Sequence, residues 1–226
     1  MTCNLKFFID FDGTITQNDV VDMILERFAS AEWKKIEAEW VSGRIGSREC
    51  LSRQMALVEA DRKAFDRLLD EVRVDESFAG FVMRLGELSI PAFIVSDGFD
   101  FVIHSVLKRF FNSDPELRFH LPVFSNKLDW VSDRPQVSFS QKEPCAHGCA
   151  NCKEMVIQSL NTSGDKVIFV GDGLSDRFAA RIAHFTFAKG KLLDFCETNK
   201  IDYKPYSGFK DIEEWVLKLE MDAARQ

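Results

Sequence analysis

The chain has 226 residues, of which 46% are hydrophobic and 21 are Phe, and its formal net charge is -7. This length can bury a sizeable core, and this composition excludes a disordered chain. An acidic chain without a basic cluster argues against a nucleic-acid partner, and no apolar run approaches a membrane span, so neither partner is expected.

The first element is the apolar run Leu5-Lys6-Phe7-Phe8-Ile9, which reads as a buried strand. No basic segment followed by a long apolar stretch precedes it, so no signal peptide is expected. Together with six cysteines, this predicts reduced thiols and a cytoplasmic protein. The strand ends in Asp10-Phe11-Asp12-Gly13-Thr14. Two carboxylates one residue apart point the same way, and their burial costs free energy unless a cation or a reaction requires them.

Helical spacing follows. Val20, Val21, Ile24, Leu25 and Phe28 form a first apolar face with Asn18 as its expected N-cap. Trp33, Ile36, Trp40 and Val41 form a second. Ser47 is the expected cap of a third bearing Leu51, Met55 and Val58, and Asp61 of a fourth with Phe65, Leu68, Leu69 and Val72. Phe78, Phe81, Val82 and Leu85 share one face of a helix leading to the next strand. An all-helical block of about sixty residues is longer than a compact crossover, and is expected to cover the active end of the sheet.

A second apolar run, 90–95, ends in Ser96-Asp97-Gly98. Residues 119–140 are β-like, with runs at 122–125, 128–131 and 136–139 that predict a small hairpin. Lys153 opens a helical segment through 160. A third apolar run, 166–170, ends in Gly171-Asp172-Gly173-Leu174-Ser175-Asp176. Beyond it come a helix at 178–183, a strand at 185–188 and helices at 192–197 and 211–219. Strands alternating with helices predict a doubly wound, mostly parallel α/β sheet, Rossmann-like, with an inserted helical cap. Residues 1–15 and 87–226 would form the catalytic core and 16–86 the cap.

Each strand thus delivers polar groups at its carboxyl end, where open α/β sheets place their sites. In this order and spacing, Asp10-x-Asp12-Gly-Thr, Ser96, Lys153 and Gly-Asp172-Gly-x-Ser-Asp176 resemble the four motifs of the haloacid dehalogenase superfamily of phosphotransferases. The resemblance implies a phosphatase of small phosphorylated metabolites, with Asp10 as nucleophile. It implies Mg²⁺ held by Asp10, Asp172 and the backbone carbonyl of Asp12, with Asp176 as an outer partner. The Asp12 side chain would be general acid and then base. Ser96, backbone N–H groups at Asp97 and near Phe11, and Lys153 would bind phosphate. Many relatives carry glycine where Asp97 stands, which leaves the role of its carboxylate open.

The cap position resembles the phosphoserine-phosphatase-like branch. Ile-Pro-Ala-Phe-Ile-Val-Ser96-Asp-Gly-Phe-Asp-Phe, Cys145-x3-Cys149-x2-Cys152-Lys153 and Phe-Ala-Lys-Gly-Lys-Leu-Leu look like the methionine-salvage phosphatases, which act on 2-hydroxy-3-keto-5-methylthiopentenyl-1-phosphate. The similarity is clearest from about residue 90 onward. Phosphoserine phosphatases hold the amino acid with an acid and an arginine from the cap. Asp19 stands near the acid, and is equally a first-turn acid favoured by the helix dipole. Gln54, beside Arg53, stands near the arginine. Trp33, Trp40 and Met55 are candidate apolar lining for the cap side of the site.

The cluster Cys145, Cys149 and Cys152, with His147 nearby, has two readings: a zinc site, or a tight loop of reduced thiols positioning Lys153. The second is preferred, and Cys3, Cys50 and Cys196 read as small apolar filling. Two other functions share the motifs. One is a catalytically idle binding homologue. The other is a transferase or phosphonatase using the same nucleophile, and a phosphonatase would want a cap lysine, for which Lys34, Lys35 and Lys63 exist but nothing singles one out. Oligomeric state is left open.

Overall fold

The structure is a computed structural model and describes residues 5–111, 121–162 and 164–224. Alternation along two central strands sets the architecture. In β1 (Leu5–Ile9), Phe7 and Ile9 enter one buried cluster and Phe8 another. In β5 (Lys166–Gly171), Ile168 and Val170 join the first cluster while Val167 and Phe169 join the second. Successive strand residues face opposite sides, so the sheet has an apolar core on each face.

The other strands are β2 (Ala92–Phe99), β3 (Val123–Val131), β4 (Arg134–Ser138), β6 (Phe185–Ala188) and β7 (Tyr203–Pro205). They form one seven-stranded sheet in the order β4-β3-β2-β1-β5-β6-β7. Every pairing is parallel except β3 with β4. β1 is flanked by β2 on one side and β5 on the other, so the strand order reverses around its carboxyl end, the place where such sheets hold ligands.

Ten helices connect the strands among the described residues: α1 (Val20–Phe28), α2 (Trp33–Val41), α3 (Ser47–Met55), α4 (Arg62–Leu69), α5 (Phe78–Glu87), α6 (Asp100–Phe110), α7 (Lys153–Leu160), α8 (Arg177–Ile182), α9 (Gly190–Asn199) and α10 (Phe209–Ala224). None of them is long and apolar enough to cross a membrane. α5 packs on the sheet: Phe81 meets Phe7 edge-on at 5.4 Å and Phe209 of α10 at 5.2 Å. Phe65 of α4 meets Trp130 of β3 edge-on at 5.3 Å, which seats the helical block on the hairpin.

Local details differ from the sequence reading in three places. α1 is capped by Asp19, whose side chain accepts from the Asp22 N–H, and not by Asn18. α3 has Gly46 at its N-cap, because the Ser47 hydroxyl donates to Asp97 instead. The runs 122–125 and 128–131 belong to one strand. The first half of β3 pairs with β2 and the second with β4, so backbone hydrogen bonds keep Asn126 and Lys127 extended. Asp61 caps α4 as expected, accepting from the Ala64 N–H at 2.8 Å.

Candidate active site

Hydrogen bonding to β5 fixes the end of β1. The Asp10 N–H donates to the Val170 carbonyl, and Asp10 is 4% exposed. Gly13 follows with φ +70, and a Cβ there would stand 2.5 Å from Asp172 Oδ2. Only glycine allows both that conformation and that approach. Thr14 Oγ1 donates to Asp172 Oδ1 at 2.9 Å, so the turn after β1 orients the acid after β5.

Carboxylate oxygens of Asp10, Asp172 and Asp176 lie within 4.8 Å of one another. Lys153, at the start of α7 and 3% exposed, places its ammonium 2.6 Å from Asp10 Oδ1 and 2.5 Å from Asp176 Oδ1. Burial and the charge of Asp176 push the Asp10 carboxyl well above the usual carboxylate range, against the pull of Lys153. Asp172 is pushed up to about 6 by burial and by Asp176. Burial alone would lower the Lys153 ammonium, but Asp10, Asp176 and Asp97 outweigh it and hold it raised. One cation thus serves a group of carboxylates, an arrangement of hard oxygen donors that suits a divalent cation such as Mg²⁺. Asp176 is already engaged: Oδ2 accepts the N–H groups of Asp172 and Gly173 at 3.0 Å each, and Oδ1 accepts Lys153.

Asp12 lines the same cleft with a different set of hydrogen-bond partners. Its Oδ1 accepts the Val20 N–H at 3.1 Å, and Ser96 Oγ donates to its Oδ2 at 3.3 Å. Ser96 Oγ in turn accepts the Gly98 N–H at 2.8 Å. Burial pushes Asp12 up to about 6, despite the Val20 hydrogen bond. An acid in that range exchanges protons near neutral pH.

The structure gives Asp97 a role. Its carboxylate accepts the Ser47 hydroxyl at 2.8 Å and the Asn151 N–H at 3.3 Å, joining the start of α3 to the loop before α7. Asn151, 2% exposed, donates from Nδ2 to the carbonyls of Ser96 and Phe124. The sequence marked Ser47 only as a helix cap, and nothing in it marked Asn151.

A cleft of about 380 Å³ extends from Asp10, Asp12 and Ser96 to the helical block. Asp19 and Gln54 line it. Arg53 does not: it turns outward to Glu39 at 2.8 Å and Glu49 at 3.1 Å. Gln54 donates to Glu37 Oε2 at 3.0 Å, and Cys50 also lines the cleft rather than merely filling core. Of the three apolar candidates Trp40 lines the cleft, whereas Trp33 and Met55 are buried in the core. α2 packs on α3, and helical periodicity does not say which apolar residue faces a neighbour and which the site. Cys196 is buried core as expected, and Cys3 lies outside the described residues.

The sequence profile of the haloacid dehalogenase-like hydrolases matches residues 7–181. The chain belongs to that family. As a haloacid dehalogenase-like hydrolase it resembles a 2-hydroxy-3-keto-5-methylthiopentenyl-1-phosphate phosphatase of Bacillus pumilus (strain SAFR-032), with 28% identity over 92% of this chain and 94% of the relative. The protein of the same name from Geobacillus thermodenitrificans (strain NG80-2) is 28% identical over 99% of this chain and 100% of its own. Among solved structures, a phospho-aspartyl intermediate analogue of phosphoserine phosphatase superposes with TM-score 0.68 at 18% identity, over 95% of this chain and 99% of that one. A substrate-bound phosphoserine phosphatase gives 0.69 at 17% over the same shares. These likenesses establish the shared fold.

Proposed function

We propose that this hydrolase, a phosphatase, cleaves the phosphomonoester of a small metabolite through an aspartyl-phosphate on Asp10. The observation that supports this reading most is the group of Asp10, Asp172 and Asp176 around the buried Lys153. Attack by a carboxylate on a phosphoryl group brings anions together, so the site requires positive charge beyond one lysine. Asp10, Asp172 and the backbone carbonyl of Asp12 would hold Mg²⁺, which supplies that charge when bound. Asp176, with both oxygens engaged, holds Lys153 and the Asp172–Gly173 amides in place. Lys153, Ser96 and the backbone N–H groups beside Ser96 and Phe11 bind phosphoryl oxygens. Asp12 protonates the leaving oxygen and then takes a proton from the attacking water. Of the expected cap, 16–86, helices α1, α2 and α3 contribute the far wall of the cleft, while α5 at its end packs on β1.

For the substrate we propose 2-hydroxy-3-keto-5-methylthiopentenyl-1-phosphate. The names of the full-length relatives support it, and so does the chemistry of the far wall. Asp19, Asp22 and Glu37 line it, Gln54 stands near the arginine position, and no arginine is among the described lining residues. A substrate carboxylate would meet repulsion and lack a bidentate partner, although Lys191 lies beside Asp22 at the rim. A keto or hydroxyl group suits Gln54, and a thioether suits Trp40, Val21 and Leu51. We expect kcat/KM for this enol phosphate to exceed that for phosphoserine at least about tenfold, or about 1.4 kcal/mol. Equal or better turnover of phosphoserine refutes the substrate and leaves the phosphatase standing. Failure to release phosphate from p-nitrophenyl phosphate with Mg²⁺ present would favour the idle homologue.

A further inference from the structure

The loop before Lys153 holds three thiols that the phosphatase chemistry does not use. The sulfurs of Cys145, Cys149 and Cys152 all lie within 4.8 Å of one another. Tetrahedral zinc with bonds of about 2.3 Å sets its thiolates about 3.8 Å apart, so the three are within a small rotamer adjustment of that spacing. The backbone is shaped for convergence. The Gly148 N–H donates to the Cys145 carbonyl at 3.0 Å, Gly148 turns back at φ +64, and the Cys149 N–H donates to Cys145 Sγ at 3.4 Å. Cys152 is the N-cap of α7, where a helix favours an anion. His147 is not part of the group: its ring stacks on Phe178 at 3.7 Å and its Nε2 faces Glu154. Cys149 and Cys152 are buried and Cys145 is half-exposed, which leaves one side of the cluster to water.

We propose that Cys145, Cys149 and Cys152 bind a zinc ion as a three-thiolate site with its fourth position open to water. This reverses the preference drawn from the sequence. In the structure the three sulfurs converge without His147. Binding releases the thiol protons to solvent and changes no oxidation state. The ion would act as a positioning element, because the loop is clamped on both sides. Ala150 N–H donates to Ser47 Oγ at 2.9 Å and Arg48 N–H to the Gly148 carbonyl at 3.0 Å, both at the start of α3. The same loop runs directly into Lys153. Zinc would therefore fix the lysine and the helical block together, independently of which phosphate ester is cleaved.

The test is elemental analysis of the full chain, purified without a metal-binding tag under reducing conditions and supplied with zinc. About one zinc per chain is expected, falling at least about tenfold in Cys149→Ser and in Cys145→Ser, and unchanged in Cys196→Ser and Asp172→Ala. Replacement by Co²⁺ should give thiolate-to-cobalt charge-transfer absorption that Cys149→Ser abolishes. In the native protein the three thiols should resist a thiol reagent until a chelator is added, a reading that needs no variant to fold. Zinc retained in both cysteine variants, no zinc in the wild type, or rapid titration of all three native thiols would each overturn the proposal.

Discussion

Replacing Lys153 by methionine keeps most of the side-chain volume and removes the ammonium that bridges Asp10 and Asp176 at 2.6 and 2.5 Å. All three side chains are buried, so the variant leaves carboxylates facing one another with little water to screen them. Breaking a buried pair on one side costs about 3–5 kcal/mol. At about 2–4 °C per kcal/mol for a chain of this length, the melting temperature should fall about 6–20 °C without divalent cations. The loss has a defined pH dependence. Asp10 is already raised in the folded state, and Lys153 is one of the groups holding it down. Without Lys153 its folded pKa rises further above its unfolded value. A raised carboxyl group costs stability increasingly as pH climbs from the unfolded pKa to the folded one. The variant should therefore lie closest to wild type near about pH 5 and farthest from it near about pH 8. Urea unfolding at both pH values, in EDTA and in saturating Mg²⁺, is the assay, and Mg²⁺ should return part of the loss by binding the folded state. Wild-type stability at the higher pH in EDTA would refute the electrostatic account of the site.

Other perturbations separate the roles of neighbouring groups. Asp10→Asn should abolish turnover with the fold intact, since an amide is a poor nucleophile; substantial activity in a preparation free of wild-type enzyme removes Asp10 from that role. Asp12→Asn should lower kcat about 10²–10⁴-fold on an alkyl phosphate and less in the first step on p-nitrophenyl phosphate, whose leaving group needs no proton; burst kinetics on both substrates decide it. Asp172→Ala should weaken activation by Mg²⁺ and activity together, read from a Mg²⁺ titration of initial rates. In Gly98→Ala the new Cβ would stand 2.5 Å from Asp12 Oδ2 and 3.1 Å from Ser96 Oγ. Activity should fall by more than stability does, and equal kcat in the variant would show that Asp12 and Ser96 need no such close approach.

The strand-end groups of the candidate site were legible because each ends an apolar run. Asp10, Ser96 and Asp172 each follow a stretch that reads as a buried strand, and a parallel sheet aligns such ends. Lys153 was legible by order alone. What could not be read was partnership across the chain. Asp97 meets Ser47 at a separation of 50 residues, and Ala150 meets Ser47 at 103. No local pattern encodes contacts of that kind. The same limit explains Trp33 and Met55. Periodicity placed them on apolar faces, but the packing of the helical block decided that those positions are core and that Trp40 is wall. Gln54 and Arg53 are one residue apart, and a turn of about 100° between consecutive helix residues sent one into the cleft and the other to Glu39.

The bond from the Val20 N–H to Asp12 ties a reacting proton to the first residue of α1. That bond lowers the proton affinity of Asp12, so by reciprocity the charge on Asp12 strengthens the seat of α1. On the proposed mechanism Asp12 gives up its proton as the alcohol departs and regains one when water attacks. The helix would then be gripped hardest between those two events, while phosphate is attached to the protein, and released as the cycle ends. Proton traffic would thus time the opening of the cleft without a separate sensor. Slower hydrogen exchange of the Val20 amide in a phosphoaspartate mimic than in the free protein would be its signature, and an unchanged rate would break the link.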